Sequence, residues 1–146
     1  MTSRLTYAAP ELVPVLEGLD EEGSARLAAA LVEWALAGSA MQDDPRIAGV
    51  VQGVREGRVA SAAVRVVVAD LVQELDEAAW DIQDELKPGE PEDEYVRAFR
   101  RARAVNALSY ALDVSAADAL LECAYEAHAA TGDTEGLRRV VRDSLR

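Results

Sequence analysis

The sequence holds one cysteine, Cys123, and one histidine, His128. A lone cysteine excludes an internal disulfide and a cysteine zinc cluster. A lone histidine excludes a two-histidine iron or zinc site within the chain, and a di-iron pair built on Glu-x-x-His. At about 100° per helical residue, positions five apart point about 140° apart, so the two do not pair as nucleophile and base. No glycine-rich phosphate loop and no Gly-x-Ser-x-Gly elbow occurs. Aromatic residues make up only 5% of the chain, so any core is built from Ala, Val and Leu, which suits close-packed helices. Long apolar runs are missing too. The most apolar stretch, 59–72, contains Arg65 and Asp70 and is too short and too charged to span a bilayer. Met1 to Leu12 lacks the apolar core of a secretory signal. No stretch alternates as a strand does. These absences leave a cytoplasmic protein with no membrane segment, no cofactor and no recognisable catalytic or metal-binding set.

What remains is apolar, acidic and helical. Half of the 146 residues are apolar and 29% are charged, a balance that affords a core and argues against disorder. The net charge is −12. Nucleic-acid binding rests on cations that displace counterions from phosphate, so no nucleic acid is expected as a partner, and the acidity favours a basic protein instead. The charge is uneven: residues 1–94 carry 20 acids and 7 bases, residues 95–146 carry 7 acids and 8 bases.

The fold class expected is all-α: one domain spanning residues 1–146, a bundle of six or seven helices around a long central one. Residues 1–9 read as a loose arm. Asp20 caps a helix that carries Leu27, Leu31, Trp34 and Ala35 at helical spacing and ends at Gly38. Asp44-Pro45 opens the next. The central helix is expected over about 58–86. Val64, Val68, Leu71, Leu75, Ala78 and Ile82 form its seam at alternating spacings of four and three, and its first half is apolar nearly all round. Residues 87–92, rich in Pro and Gly, are the linker to a helix over about 92–113. Its core face is read as Phe99, Ala102, Val105, Ser109 and Leu112. Ser115 and Asp118 suggest a capping box for a helix burying Leu120, Cys123, Ala124 and Ala127. Gly132 ends that helix and Asp133 caps the last one.

Gly49, Gly53 and Gly57 recur every fourth residue. An interior glycine costs a helix about 1 kcal/mol against alanine, so the row needs a reason. A close helix crossing is the commoner one, and backbone contact with a ligand or partner the other.

The sharpest functional feature is an acidic row on the central helix: Asp70, Glu74, Glu77, Asp81 and Asp84. Their spacing puts five carboxylates on one face, where like charges cost a few tenths of a kcal/mol per pair. Residue numbers at one level of an antiparallel hairpin with the next helix sum to about 178. Asp81 would then meet Arg97, and Glu77 would meet Arg101, with Arg100 nearby. The row is either paired in this way or open to a partner. Trp80, beside Glu77, Asp81 and Asp84, either packs under another helix or, if exposed, anchors an arginine-rich partner.

Two local resemblances complete the reading. Glu74-Leu75-Asp76-Glu77-Ala78-Ala79-Trp80 resembles the second metal-binding pair of helical nucleotide pyrophosphohydrolases of the MazG type, with Glu77 in place of their Asp. That resemblance implies Mg²⁺-dependent hydrolysis, although a first pair is missing: Glu17, Glu21 and Glu22 have the wrong spacing. Ala124 through Leu145, with its Gly132-Asp133 turn, resembles one tetratricopeptide helical hairpin, with Tyr125 where that repeat carries a small residue and no second copy.

The expected function is a non-enzymatic protein–protein interaction module: an adaptor, a regulator, or an immunity- or antitoxin-like inhibitor. It would use Asp70, Glu74, Glu77, Trp80, Asp81 and Asp84 against a basic partner. The alternatives are a metal-dependent pyrophosphohydrolase-like enzyme and a structural homodimer formed through the glycine row or the apolar face at Val66.

Overall fold

The computed structural model describes residues 2–146. Among them run eight α-helices and no strand: α1 (Leu5–Ala8), α2 (Leu12–Glu17), α3 (Glu21–Gly38), α4 (Ala48–Arg55), α5 (Ala62–Glu85), α6 (Asp93–Ala111), α7 (Ala119–Thr131) and α8 (Thr134–Ser144). The bundle is all-helical, and none of its helices is long and apolar enough to cross a membrane.

Three helix starts follow from single side chains. Asp20 accepts from the Gly23 amide at 2.7 Å, Ser61 from Val64 at 3.2 Å and Asp133 from Gly136 at 2.8 Å. Each satisfies an amide that the first turn would leave unpaired. Two expected starts differ. Asp44 accepts from the Arg46 amide at 2.9 Å, closing a tight turn that delays α4 to Ala48. Asp118 sits at φ +64° and makes no side-chain cap, so Ser115 and Asp118 form no capping box. Gly132, at φ +64°, ends α7 in the left-handed conformation glycine tolerates best.

The core lies between α3, α6 and α7. Helix α7 buries eight of its thirteen residues, α6 seven of nineteen and α3 seven of eighteen, whereas α5 buries three of twenty-four: Val68, Leu71 and Ala79. The long helix is therefore not the centre of the bundle. It lies against α6 and little else, and α6 separates it from α7 and α3. Apolar residues all round its first half do not mean burial all round, since Val66 and Val67 remain 57% and 51% exposed. The seam holds at Val64, Val68, Leu71, Leu75 and Ile82 and fails only at Ala78, where the neighbouring Ala79 is buried instead.

The arm is a second correction. Leu5 and Ala9 are fully buried and belong to the main core, and α1 packs on α7. A four-residue helix carries no periodic signal, which is why residues 1–9 read as loose. With α1 and α2 counted, eight helices replace the expected six or seven. The 87–92 segment does join two helices, α5 and α6, which form a hairpin.

Candidate functional site

Helix α5 turns one edge to α6, through Val68, Leu71, Leu75, Asp76, Ala79 and Ile82, all at least half-buried. At about 100° per residue, Asp70, Glu74, Glu77, Asp81 and Asp84 fall roughly opposite that edge. All five are exposed. Glu74 takes one long contact from Arg46, 3.4 Å, and Glu77 accepts from Gln73 at 3.1 Å. Among the described residues none of the five pairs with Arg97, Arg100 or Arg101. The hairpin register is right and the face is wrong. Asp76, one residue before Glu77, meets Arg103 at 2.6 Å within one residue of the expected level. Trp80 is 55% exposed, on the flank of the row next to Glu77, Asp81 and Asp84. The first half of the same outward face carries Ala62, Ala63 and Val66, all exposed.

The charges that do pair internally form a different network, which sequence reasoning missed. Glu126 on α7 is 1% exposed. Arg103 donates to its carboxylate at 3.0 and 3.2 Å, and Arg4 donates at 2.8 Å. Arg4 also reaches Glu122 at 2.5 Å and lies 4.3 Å from the Tyr125 ring centre. Arg103 in turn holds Asp76 and sits 5.7 Å from the Phe99 ring centre. Burial works against both guanidinium charges, but the carboxylates around them win and raise both pKa values. This chain of charges ties α1, α5, α6 and α7 together. The sequence did contain a signal for it: Glu126 falls three residues after Cys123, on the face already assigned to the core.

The glycine row has no packing role. A side chain added at Gly49 would meet nothing within 4 Å, and one at Gly53 only the Arg58 guanidinium at 3.7 Å. Gly57 lies outside α4, at φ +72°. No close helix crossing therefore explains the row. Gly49 and Gly53 instead line an open groove of about 210 Å³ between α4 and the start of α5, with Val54, Val64 and Leu112.

Cys123 is buried in the core, as its place on the α7 core face suggests, and His128 is partly exposed. Burial pushes the Cys123 thiol up to about 12. The Nε2 atom of His128 lies 2.9 Å from the Thr134 hydroxyl, and burial lowers its pKa. Among the described residues no three His, Cys, Asp or Glu side chains gather closely enough to hold a metal ion. Glu74 and Glu77 thus stand without the first pair that a Mg²⁺ site of the pyrophosphohydrolase kind needs, since one helix face cannot wrap an octahedral ion. Helices α7 and α8 do meet at the Gly132-Asp133 turn, but α8 packs more on α3 than on α7, unlike a self-contained hairpin repeat. No protein-family model, no curated protein and no solved structure matches the chain.

Proposed function

We propose that this chain is a non-enzymatic interaction module, an adaptor, regulator or immunity-like inhibitor, that binds a basic protein through the outer face of α5. The observation that supports this reading is Trp80, more than half exposed beside the carboxylates of Glu77, Asp81 and Asp84. Like charges on one helix face are unfavourable, and among the described residues only the weak contact with Arg46 offsets them. A cationic partner removes that repulsion on binding, and the indole supplies the desolvated aromatic anchor on which interface energy concentrates. The net charge of −12 speeds encounter with a basic surface and disfavours nucleic acid. The reading includes a cytoplasmic location, in keeping with a single cysteine.

The test is a pull-down from source cells at moderate salt, repeated with Glu77→Arg and Asp81→Arg together. The expected result is a stoichiometric basic partner that leaves at high salt and is lost by at least about tenfold with the charge reversal. Unchanged binding by the reversed chain sinks the reading.

Val66 and Val67 support a second reading, a homodimer through the apolar half of the same face. A dimer that survives high salt and dissociates in Val66→Ser favours it over the first.

A further inference from the structure

The molecule has one surface that is the chemical inverse of the Trp80 face. Between α2 and α8 lies a shallow, open cleft of about 260 Å³. Leu12, Val15, Val141 and Leu145 form its floor, and Arg142 and Arg146 stand on its rim. Val15 and Leu145 are 38% and 48% exposed although both are aliphatic. A third rim arginine, Arg138, is held by Glu11 and Glu135. Arg142 and Arg146 make no ion pair among the described residues, in a chain with nearly twice as many acids as bases. The cleft is too small for a drug-sized ligand and of a size to take one large side chain. An occupant that suits it carries an apolar anchor with carboxylates around it.

Trp80 with Glu77, Asp81 and Asp84 is such an anchor. The two surfaces cannot meet within one molecule, because α5 lies on one side of α6 while α8 packs on α3 and α7, beyond it. We infer that the partner of the Trp80 face is a second copy of this chain, which receives the indole in its α2–α8 cleft while Arg142 and Arg146 face the carboxylates. This rests on the interaction reading of α5 and departs from it in one respect: the basic surface is the local patch of Arg142 and Arg146 on a chain whose net charge is −12, not a basic protein. Apolar floor meets indole, and cationic rim meets acidic ring, so both the burial and the charge terms favour the same arrangement. The contact is heterologous: each copy offers a free face and a free cleft, and association continues into a ring or a chain unless geometry closes it.

Two one-sided variants test this. Trp80→Ala removes the anchor and keeps the cleft; Arg142→Glu with Arg146→Glu removes the cleft's rim and keeps the anchor. All three substituted side chains are on the surface, and circular dichroism checks that the variants fold. In sedimentation velocity at low salt, the natural chain is expected to grow in mass with concentration. Each variant alone is expected to stay monomeric, its affinity down by about thirtyfold, as for loss of an interface hot spot. Mixed together they should form a one-to-one dimer that grows no further, since the mixture retains one intact face and one intact cleft. A natural chain that stays monomeric, or a mixture that stays two monomers, overturns the inference. Dimerisation lost only in Val66→Ser also overturns it. A pull-down on the monomeric chain separates the levels. A basic protein still captured through Glu77 and Asp81 leaves the reading of α5 standing without self-assembly, and no capture with no self-assembly removes both.

Discussion

Helices α5 and α7 share an alanine- and leucine-bearing stripe and fare oppositely. Helix α7 is short, and eight of its thirteen residues are buried, including a glutamate. Helix α5 is nearly twice as long and buries three. Each carries five alanines and two leucines, but α5 adds five valines and seven acids where α7 has no valine and two acids. The difference is the number of neighbours: α7 is enclosed by α1, α2, α3, α6 and α8, whereas α5 rests almost wholly on α6. A helix with one neighbour needs only a narrow stripe, so the rest of its surface is free of packing constraints. The exposed valines, the acidic row and the indole of α5 sit where the fold does not require them, and for that reason they are read as function rather than stability.

Core substitution breaks the comparison most sharply. Leu31 on α3 is fully buried, and Leu31→Ala removes apolar contacts and leaves a cavity. The expected loss is about 3 kcal/mol, within the usual range for buried leucine. Val66→Ala on α5, by contrast, should change stability by less than about 0.5 kcal/mol, as surface substitutions do. Urea unfolding of the two variants and the natural chain measures both. Comparable losses would mean that α5 is covered in solution, by a partner or by a second copy.

Arg103→Ala is expected to cost nearly as much, about 3 kcal/mol, although it deletes a charged residue. It leaves the Glu126 carboxylate, 1% exposed in the intact protein, with Arg4 as its one remaining cation among the described residues, and breaking one side of a buried pair is far more costly than its net contribution suggests. It also releases Asp76, the ion pair between α5 and α6. Hydrogen exchange should therefore show α5 loosening more than α3. A cost under about 1 kcal/mol would mean that Arg4 alone compensates Glu126. Removing Arg4 and Arg103 together should exceed the sum of the single losses, because they share one carboxylate.

The contrast also shows where the sequence was legible. Helix positions, their caps at Asp20 and Asp133 and the hairpin around 87–92 follow from local chemistry, namely spacing, capping side chains and proline. Which face of α5 is outward was not legible, because the spacing of the five carboxylates suits pairing with the arginines of α6 as well as exposure to solvent. What local chemistry does not carry is which helix is enclosed. Val64 to Val68 looks like a core segment, and only the tertiary arrangement decides that half of it meets solvent. The pairing of Asp76 rather than Glu77 or Asp81 turns on one residue of rotation about α5, finer than a hairpin count resolves. Arg4 was out of reach for another reason: its partners Glu122 and Glu126 lie more than a hundred positions away, with no repeating pattern between them.

A small gain, rather than a loss, separates α4 from both helices. It has no fully buried residue, and its glycines face open space. In Gly49→Ala with Gly53→Ala, each new methyl group has room, and the unfolded chain loses conformational freedom that the helix does not need. The gain expected is about 0.5 kcal/mol per site, with slower amide exchange across Ala48–Arg55 as its local signature. A close helix crossing at these glycines would give the opposite sign, with a loss of stability from forcing two backbones apart. If stability rises while a partner captured from cells is lost, the groove that Gly49 and Gly53 line is itself a contact surface, and the row of glycines marks a place where another backbone comes close.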